Sequence, residues 1–457
     1  NGEIYNVEDL RIKLNKKNIF LRTNSDTEIL LKGFEVFGIE FLREIDGIYA
    51  IAIWDKINKE LILARDPGGI KPLYYTIENS SFIFSSEISV FSNKKISLSS
   101  IQHYQLWGSL SNISSGLEGI KKFPSGSIGK WSIGKQIKFL RNKSFGFSNQ
   151  INKTINYTDA VLNVKKLLNK SVELQRIGDV EICSFLSGGV DSAILTGLLQ
   201  KHSAKKISSF SIGFDCFGEI EDESKLALLS AEYIGTKHRN IIYKFKDFDN
   251  IFDDFIDALD TPSTDGFNTY LISRAVSEYD IKVAFSGIGA DEIFGGYPHF
   301  FEYFYFLNSA IKRKSFGGGL PIQILKKFNM QNRAFVLRDF YAYLDYRMIP
   351  FHGLNKNQFN NIMEFKIKNL FDNNDLCFEN KFKNISLSEL NGYLRETLLR
   401  DTDAVSMHFG LEVRVPYLDF SLVNYCLSIP FDYHLCNGPK SILKDAFKEF
   451  IHPKVLN

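Results

Sequence analysis

The sequence predicts an α/β protein in two parts, a strand-rich first part and a second part built as a doubly wound parallel sheet. From about residue 158 onward, short apolar runs alternate with amphipathic helical runs, the rhythm of a parallel sheet covered by helices. Over the first 140 or so residues the apolar runs are short and separated by turn residues, which reads as strands. Length points the same way: 457 residues exceed one ordinary core, so two or three domains are expected.

In the first part, residues 48–54 are apolar on both faces, as in a strand sandwiched between layers. Strands at 61–64, 73–77 and 81–85 follow, separated by Arg65-Asp66-Pro67-Gly68-Gly69 and Glu78-Asn79-Ser80. One helix interrupts them. Ser25-Asp26-Thr27-Glu28 is a capping box, and Gly38 after Phe37 offers a left-handed stop. The polar stretch 141–157 is the candidate linker, dividing the chain into domains at 1–140 and 158–457. Beyond it, 180–186 is a buried strand, followed by Ser187-Gly188-Gly189 and a helix carrying Ile194, Leu195, Leu198 and Leu199. A second strand at 208–214 leads to a helix over about 222–234, stopped by Gly235, and a third strand at 241–243. Helices at 251–259 and 270–279 precede a fourth strand at 281–285. From about residue 300 the chain reads as mostly helical, and the stripe Phe300, Phe301, Tyr303, Phe304, Tyr305, Phe306 reads as packing.

Composition excludes several classes of partner. With 55 basic and 53 acidic residues the net charge is +2, which leaves no nucleic-acid footprint. No uninterrupted apolar run approaches the ~18 residues of a membrane helix, so no membrane is expected either. The five cysteines (Cys183, Cys216, Cys377, Cys426, Cys436) are scattered without a C-x-x-C pair. That argues against a disulfide framework or a zinc site and suits a reducing, cytoplasmic setting. No basic-then-apolar leader is visible, and the chain reads as a piece of a longer protein.

The first segment that carries chemistry is Ser187-Gly188-Gly189-Val190-Asp191-Ser192, placed where a buried strand meets a helix. Glycines let backbone N–H groups approach phosphate oxygens closely, and a helix N-terminus favours negative charge. Ser187 and Ser192 add hydroxyl donors, and Asp191 can hold a magnesium ion that bridges phosphates. The G-K-S/T ending of a Walker loop is missing, and with it the lysine that clamps a γ-phosphate.

This loop is similar to the pyrophosphate loop of enzymes that split ATP between its α- and β-phosphates. Ser286-Gly287-Ile288-Gly289-Ala290-Asp291-Glu292-Ile293-Phe294-Gly295-Gly296-Tyr297 resembles the S-G-x-G-A/S-D-E-x-F-G-G-Y segment of the glutamine-hydrolysing asparagine synthetase family. The stretch from Ser406-Met407 through Leu411-Glu412-Val413-Arg414-Val415-Pro416-Tyr417-Leu418-Asp419 resembles that family's S-M-x-x-x-L-E-x-R-x-P-x-x-D. Ordered motifs across about 230 residues leave chance a poor explanation.

The resemblance implies ATP and Mg2+ as cofactors, with the phosphates on Ser187, Gly188, Gly189, Val190, Asp191 and Ser192 and the metal on Asp191 and Asp291. It implies that Leu186, Ile212, Ser286 and Gly287 frame the adenosine. Lys440, in Gly438-Pro439-Lys440-Ser441, matches a family lysine that stabilises charge on the α-phosphate in the transition state. Arg414 and Asp419 are left with a supporting role or a structural salt bridge.

Asn1-Gly2-Glu3-Ile4-Tyr5-Asn6 matches the N-G-E-I-Y-N of the family's glutaminase domain, and residues 65–74 follow its R-D-x-x-G-x-x-P-L-Y. The implied fold is an N-terminal-nucleophile sandwich, α/β/β/α and incomplete, joined to an ATP-pyrophosphatase sheet with a helical C-terminal extension. Asn1 and Gly2 would donate to the oxyanion, and Glu3 and Asp26 would grip the α-amino group of glutamine. The family's nucleophile, a cysteine exposed as the first residue of the mature chain, is expected ahead of Asn1, and further synthetase sequence after Asn457.

The implied reaction turns ATP, aspartate and glutamine into asparagine, glutamate, AMP and pyrophosphate. One position departs from the pattern: Ile288 stands where members often carry an acid associated with forming the acyl-adenylate. The expected partners are therefore glutamine and aspartate or another small carboxylate, such as a surface-polysaccharide sugar acid, and a homodimer is left open. A tRNA-modifying enzyme sharing the loop and a non-catalytic partner subunit are the remaining alternatives.

Overall fold

The computed structural model describes residues 1–107, 109–146, 151–176, 178, 180–215, 223–244, 246, 248–263, 265–298, 300 and 381–456. Phe300 is buried as packing requires, while the rest of its aromatic stripe, Asp222, Cys216 and Cys377 lie outside the described residues.

The first part contains β1 (Gly2–Ile4), β2 (Gly47–Asp55), β3 (Glu60–Arg65), β4 (Tyr74–Glu78), β5 (Ser81–Ser85), β6 (Lys121–Lys122), β7 (Ser127–Ser132) and β8 (Lys138–Arg141). They form two antiparallel sheets, ordered β1-β2-β3-β7-β8 and β5-β4-β6. The period of two along β3 decides the layers. Ile62 and Ala64 face Leu10, Leu14, Ile29 and Phe41 of the outer helices. Leu61 and Leu63 point the other way, onto Leu73, Tyr75, Phe123 and Trp131 between the two sheets.

Four expectations for this part need correction. The strand expected at 48–54 is buried at Ile48 and Tyr49, but Trp54 is 46% exposed where β2 runs out into the turn to β3. More than one helix is present, since Val7–Asn15, Ile39–Leu42 and Leu98–Trp107 join Asp26–Phe37. Val7–Asn15 buries only Leu10 and Leu14, too thin an apolar stripe to show in the sequence. The capping box is only half made: the Ser25 side chain accepts from the Thr27 amide, but the Glu28 carboxylate turns to the amides of Arg22 (2.9 Å) and Thr23 (2.7 Å). Gly38 does have positive φ, at 64°, yet its ψ of −146° lies outside the left-handed helical region.

The second part contains β9 (Ile182–Phe185), β10 (Ser208–Phe214), β11 (Lys237–Tyr243), β12 (Val283–Phe285) and β13 (Glu412–Arg414). All pair in parallel, in the order β11-β10-β9-β12-β13. Helices cover both faces, making the sheet doubly wound. Phe214 packs towards the Phe248–Ala258 and Phe267–Ser277 helices, meeting Phe248 edge-on, while Ser211, through Asn240, reaches Ser224 at the start of Glu223–Ile234. β13 was not expected; three residues of strand inside a helical stretch carry no readable period. β9 has β10 on one side and β12 on the other, so the chain reverses its direction of winding there, and ligands of such sheets bind beyond the strand ends at that point.

The two parts meet across buried ion pairs, Lys71 with Asp403 at 2.9 Å and Lys122 with Glu396 at 2.5 Å. Among the described residues no helix is long and apolar enough to cross a membrane, and Cys183, Cys426 and Cys436 are free thiols.

One buried group sets a pH dependence of stability. His434 lies fully inside, 3.1 Å from the Cys426 carbonyl, and burial pushes its imidazole down from 6.5 to about 3. The unfolded chain takes up this proton below 6.5 and the folded chain does not, so the contribution is complete above that pH and is lost as pH falls towards 3. Its slope is about 1.4 kcal/mol per pH unit, and denaturant midpoints measured at about pH 7.5 and about pH 5.5 should show His434→Gln flattening it.

Candidate active site

β9 ends at Phe185, and the Val190–Lys201 helix begins after Gly189, which extends from the loop at φ −88°. No side chain caps this helix start, so its first amides and the positive end of its dipole are presented at the strand end. The loop is held by its own serines. The Ser187 amide donates to Ser192 Oγ at 3.1 Å, the two hydroxyls lie 2.9 Å apart, and the Gly189 amide donates to Ser187 Oγ at 3.2 Å. The hydroxyls expected to reach phosphate are therefore engaged within the loop, because five residues of tight turn bring them together first.

A cavity of about 520 Å3 opens beyond β9, β10 and β12, within the size range of small-molecule sites. Leu186, Ser187, Asp191, Ser192, Ile212, Ser286 and Gly287 all line it, so the structure brings together both motif loops and the second strand as expected. Gly188, Gly189 and Val190 are not among the residues that line it. Gly287 makes the close approach of the loops feasible: a Cβ there would lie 3.3 Å from both Asp191 Cβ and the Ser192 amide.

Lys440 lies between the two motif aspartates: its ammonium pairs with Asp191 Oδ2 and, at 2.6 Å, with Asp291 Oδ1. A buried ammonium needs counter-charge, and these carboxylates are what the β9 and β12 loops supply. Burial alone would lower its pKa, but Asp191 and then Asp291 outweigh that and hold it above the usual lysine value, so the cation is fixed. Lys440 itself takes a left-handed conformation, φ 57° and ψ 31°, at the start of the Ser441–Phe447 helix. Burial pushes the Asp191 carboxyl up, against the pull of Lys440. The Tyr417 hydroxyl fixes the Asp191 carbonyl at 3.0 Å.

Asp191 Oδ1 is buried without a protein partner. An orphaned carboxylate oxygen, with Asp291 beside the same ammonium, fits Mg2+, which takes one or two carboxylates and completes its shell with water and phosphate oxygens.

The segment resembling a glutamine site is built on β1. Gly2, at φ 105°, pairs with Tyr49, and a Cβ there would fall 1.9 Å from the Ile48 carbonyl oxygen. Asn1 extends the pairing through the Ala50 amide, which donates to its carbonyl at 2.9 Å. Burial raises the Glu3 carboxyl; Arg414 lowers it and Asp26 raises it. The R-D-x-x-G segment proves to be a brace. Arg65 donates to the carbonyls of Lys71, Phe123 and Gly69, and Asp66 accepts from the amides of Ile70 and Lys71. Asp419 forms no salt bridge among the described contacts but caps the Phe420–Cys426 helix, accepting from the Leu422 amide at 2.9 Å.

Sequence reasoning missed several wall residues. Ser211 and Ser224 bring hydroxyls to the same cavity. Glu292 is buried there, accepts from the Tyr297 hydroxyl at 2.7 Å, and is pushed up to about 7 by burial. The D-E-x-F-G-G-Y run contained the signal for Glu292 and Tyr297; nothing marked Ser224, which lies on an ordinary helical stretch.

Comparison with known proteins covers the whole chain. The family described as Asparagine synthase matches residues 163–457, and that described as Glutamine amidotransferase domain matches residues 1–141. Asparagine synthetase (glutamine-hydrolyzing) 3 of Bacillus subtilis is 28% identical over 487 residues, covering 100% of this chain and 73% of its own length. Asparagine synthetase (glutamine-hydrolyzing) 1 of the same organism is 28% identical over 477 residues, covering 100% and 74%. A putative asparagine synthetase (glutamine-hydrolyzing) 2 of Methanocaldococcus jannaschii is 30% identical over 307 residues, covering 65% of this chain and 58% of its own length.

Proposed function

The chain belongs to the asparagine synthase family, and from that premise we propose that it makes an amide at the expense of ATP, converting aspartate to asparagine with ammonia from glutamine and releasing AMP and pyrophosphate. The observation that carries the reading is the Asp191–Lys440–Asp291 cluster beside an uncapped helix start at the switch point of a parallel sheet.

In this reading Leu186, Ile212, Ser286 and Gly287 frame the adenosine, and the amides from Ser187 to Ser192 receive the phosphates. An oxygen of the aspartate β-carboxylate attacks the α-phosphorus, the bond to the β-phosphate breaks, and pyrophosphate leaves. Lys440 supplies a fixed cation for the charge that builds on the α-phosphate. Asp191 and Asp291 would hold Mg2+, whose charge would offset that of the phosphates when bound. Ammonia then attacks the acyl carbon and AMP leaves; closing the cavity to water protects the acyl-adenylate. Residues 1–140 serve as the glutaminase domain and 158–457 as the synthetase domain, with 141–157 between them. Asn1 and Gly2 donate to the oxyanion of glutamine hydrolysis, and Glu3 and Asp26 hold the α-ammonium. A cytoplasmic location belongs to the same proposal.

A second reading, an amidotransferase acting on another carboxylate such as a sugar acid, draws support from Ile288, which puts an apolar side chain on the cavity wall. The full-length protein incubated with ATP and aspartate, with glutamine or ammonium as donor, tests both. AMP formation with aspartate supports the first reading; AMP only with a sugar acid supports the second. ADP as product would remove the loop assignment altogether.

A further inference from the structure

Arg414 touches both candidate sites. Its backbone closes β13 against β12, paired with Phe285, and its carbonyl accepts from the Ser286 amide at 2.9 Å, where the loop walling the nucleotide cavity begins. Its side chain, 5% exposed, runs the other way. Nε donates to Glu412 Oε1 at 2.8 Å, Nη1 to the Gln175 carbonyl, and Nη2 to Glu3 Oε2 at 3.4 Å. The planar fork is what allows one cation to serve three acceptors in fixed directions.

The two carboxylates are held unequally. Glu412 is the closer and the less exposed, at 22%; Glu3 is farther and 38% exposed. Glu3 thus keeps a face open to a ligand while Arg414 sets its direction, and β1 pairing opposite Ile48 fixes its backbone. Asp26 adds a second negative charge close enough to raise the Glu3 carboxyl. A half-open carboxylate, steered by a buried cation and beside another acid, suits an organic ammonium group.

We propose that Arg414 is a positioning residue that the synthetase sheet supplies to the glutamine site: its guanidinium aims the Glu3 carboxylate at the α-ammonium of glutamine. The inference rests on the reading of Glu3 as a glutamine contact. It makes the amide-donor site dependent on a residue whose carbonyl holds the start of the loop that walls the nucleotide cavity.

The test compares donors in the full-length protein. Arg414→Lys keeps one charge but cannot serve Glu412, the Gln175 carbonyl and Glu3 together, so the KM for glutamine should rise about tenfold while the KM for ammonium stays within about twofold. Glu3 is part-exposed, so Glu3→Gln should fold, and adding Arg414→Lys to it should move the glutamine KM no further. An unchanged glutamine KM in Arg414→Lys, equal losses with both donors together with a lower melting temperature, or additive losses in the double variant would each overturn the inference. A wild type that releases no glutamate from glutamine would sink the site reading itself, and this inference with it.

Discussion

Lys440→Met should lower AMP formation by roughly a hundred- to a thousandfold, with the loss in kcat rather than in the KM for ATP. The reason is that its ammonium is already fixed before substrate arrives, between Asp191 and Asp291, and held protonated by them. A preorganised cation acts on charge that develops during reaction and contributes less to the ground state. Its removal also leaves two carboxylates facing each other in a largely buried place. Breaking such a buried pair costs about 3–5 kcal/mol, so the melting temperature should fall as well. Single-turnover AMP formation beside a thermal melt separates the two effects, since a folded variant assayed below its melting point reports chemistry alone. Undiminished turnover would remove Lys440 from the reaction and leave it a structural counter-ion.

How far this site could be read from the sequence depends on what kind of fact was needed. The residue types and strand-to-helix placement of Ser187 to Ser192 and of Ser286 to Asp291 were legible, because glycine, serine and aspartate at such turns have few uses. The parallel sheet was legible through β9, β10 and β12 for the same reason that β13 was not: period and flanking turns need length, and Glu412–Arg414 has none. Contacts were not legible. Lys440 and Asp191 stand 249 positions apart, and only the folded chain shows that the lysine meets the carboxylates. Likewise the turn that carries Ser187 and Ser192 was legible, but not that their hydroxyls bond to each other. The first part was read least well, since helices such as Val7–Asn15 bury too few residues to announce themselves. Ser224 and Arg414 show the limit plainly: one lies on an unmarked helix, the other inside a motif whose side-chain target, Glu3, is 411 positions away.

Gly296→Ala should reduce AMP formation by at least about a hundredfold, although the change adds a single methyl group. Gly296 does not have the positive φ that would itself exclude alanine. The effect is spatial: a Cβ there would sit 1.8 Å from Asp291 Oδ1 and 2.1 Å from Lys440 Cε. Neither atom can stay. Both atoms belong to the paired ends of their side chains, so moving them aside parts the carboxylate from the ammonium. Overpacking of this kind costs about 1–3 kcal/mol in stability, far less than the loss expected in rate. Gly392→Ala provides the contrast, since a Cβ at Gly392 meets nothing within 4 Å. There the helical backbone should gain about 0.5–1 kcal/mol with AMP formation unchanged. If Gly296→Ala turned over as fast as Gly392→Ala, the contact between Asp291 and Lys440 would be dispensable, and the chemistry assigned to that cluster would have to move elsewhere along the cavity wall.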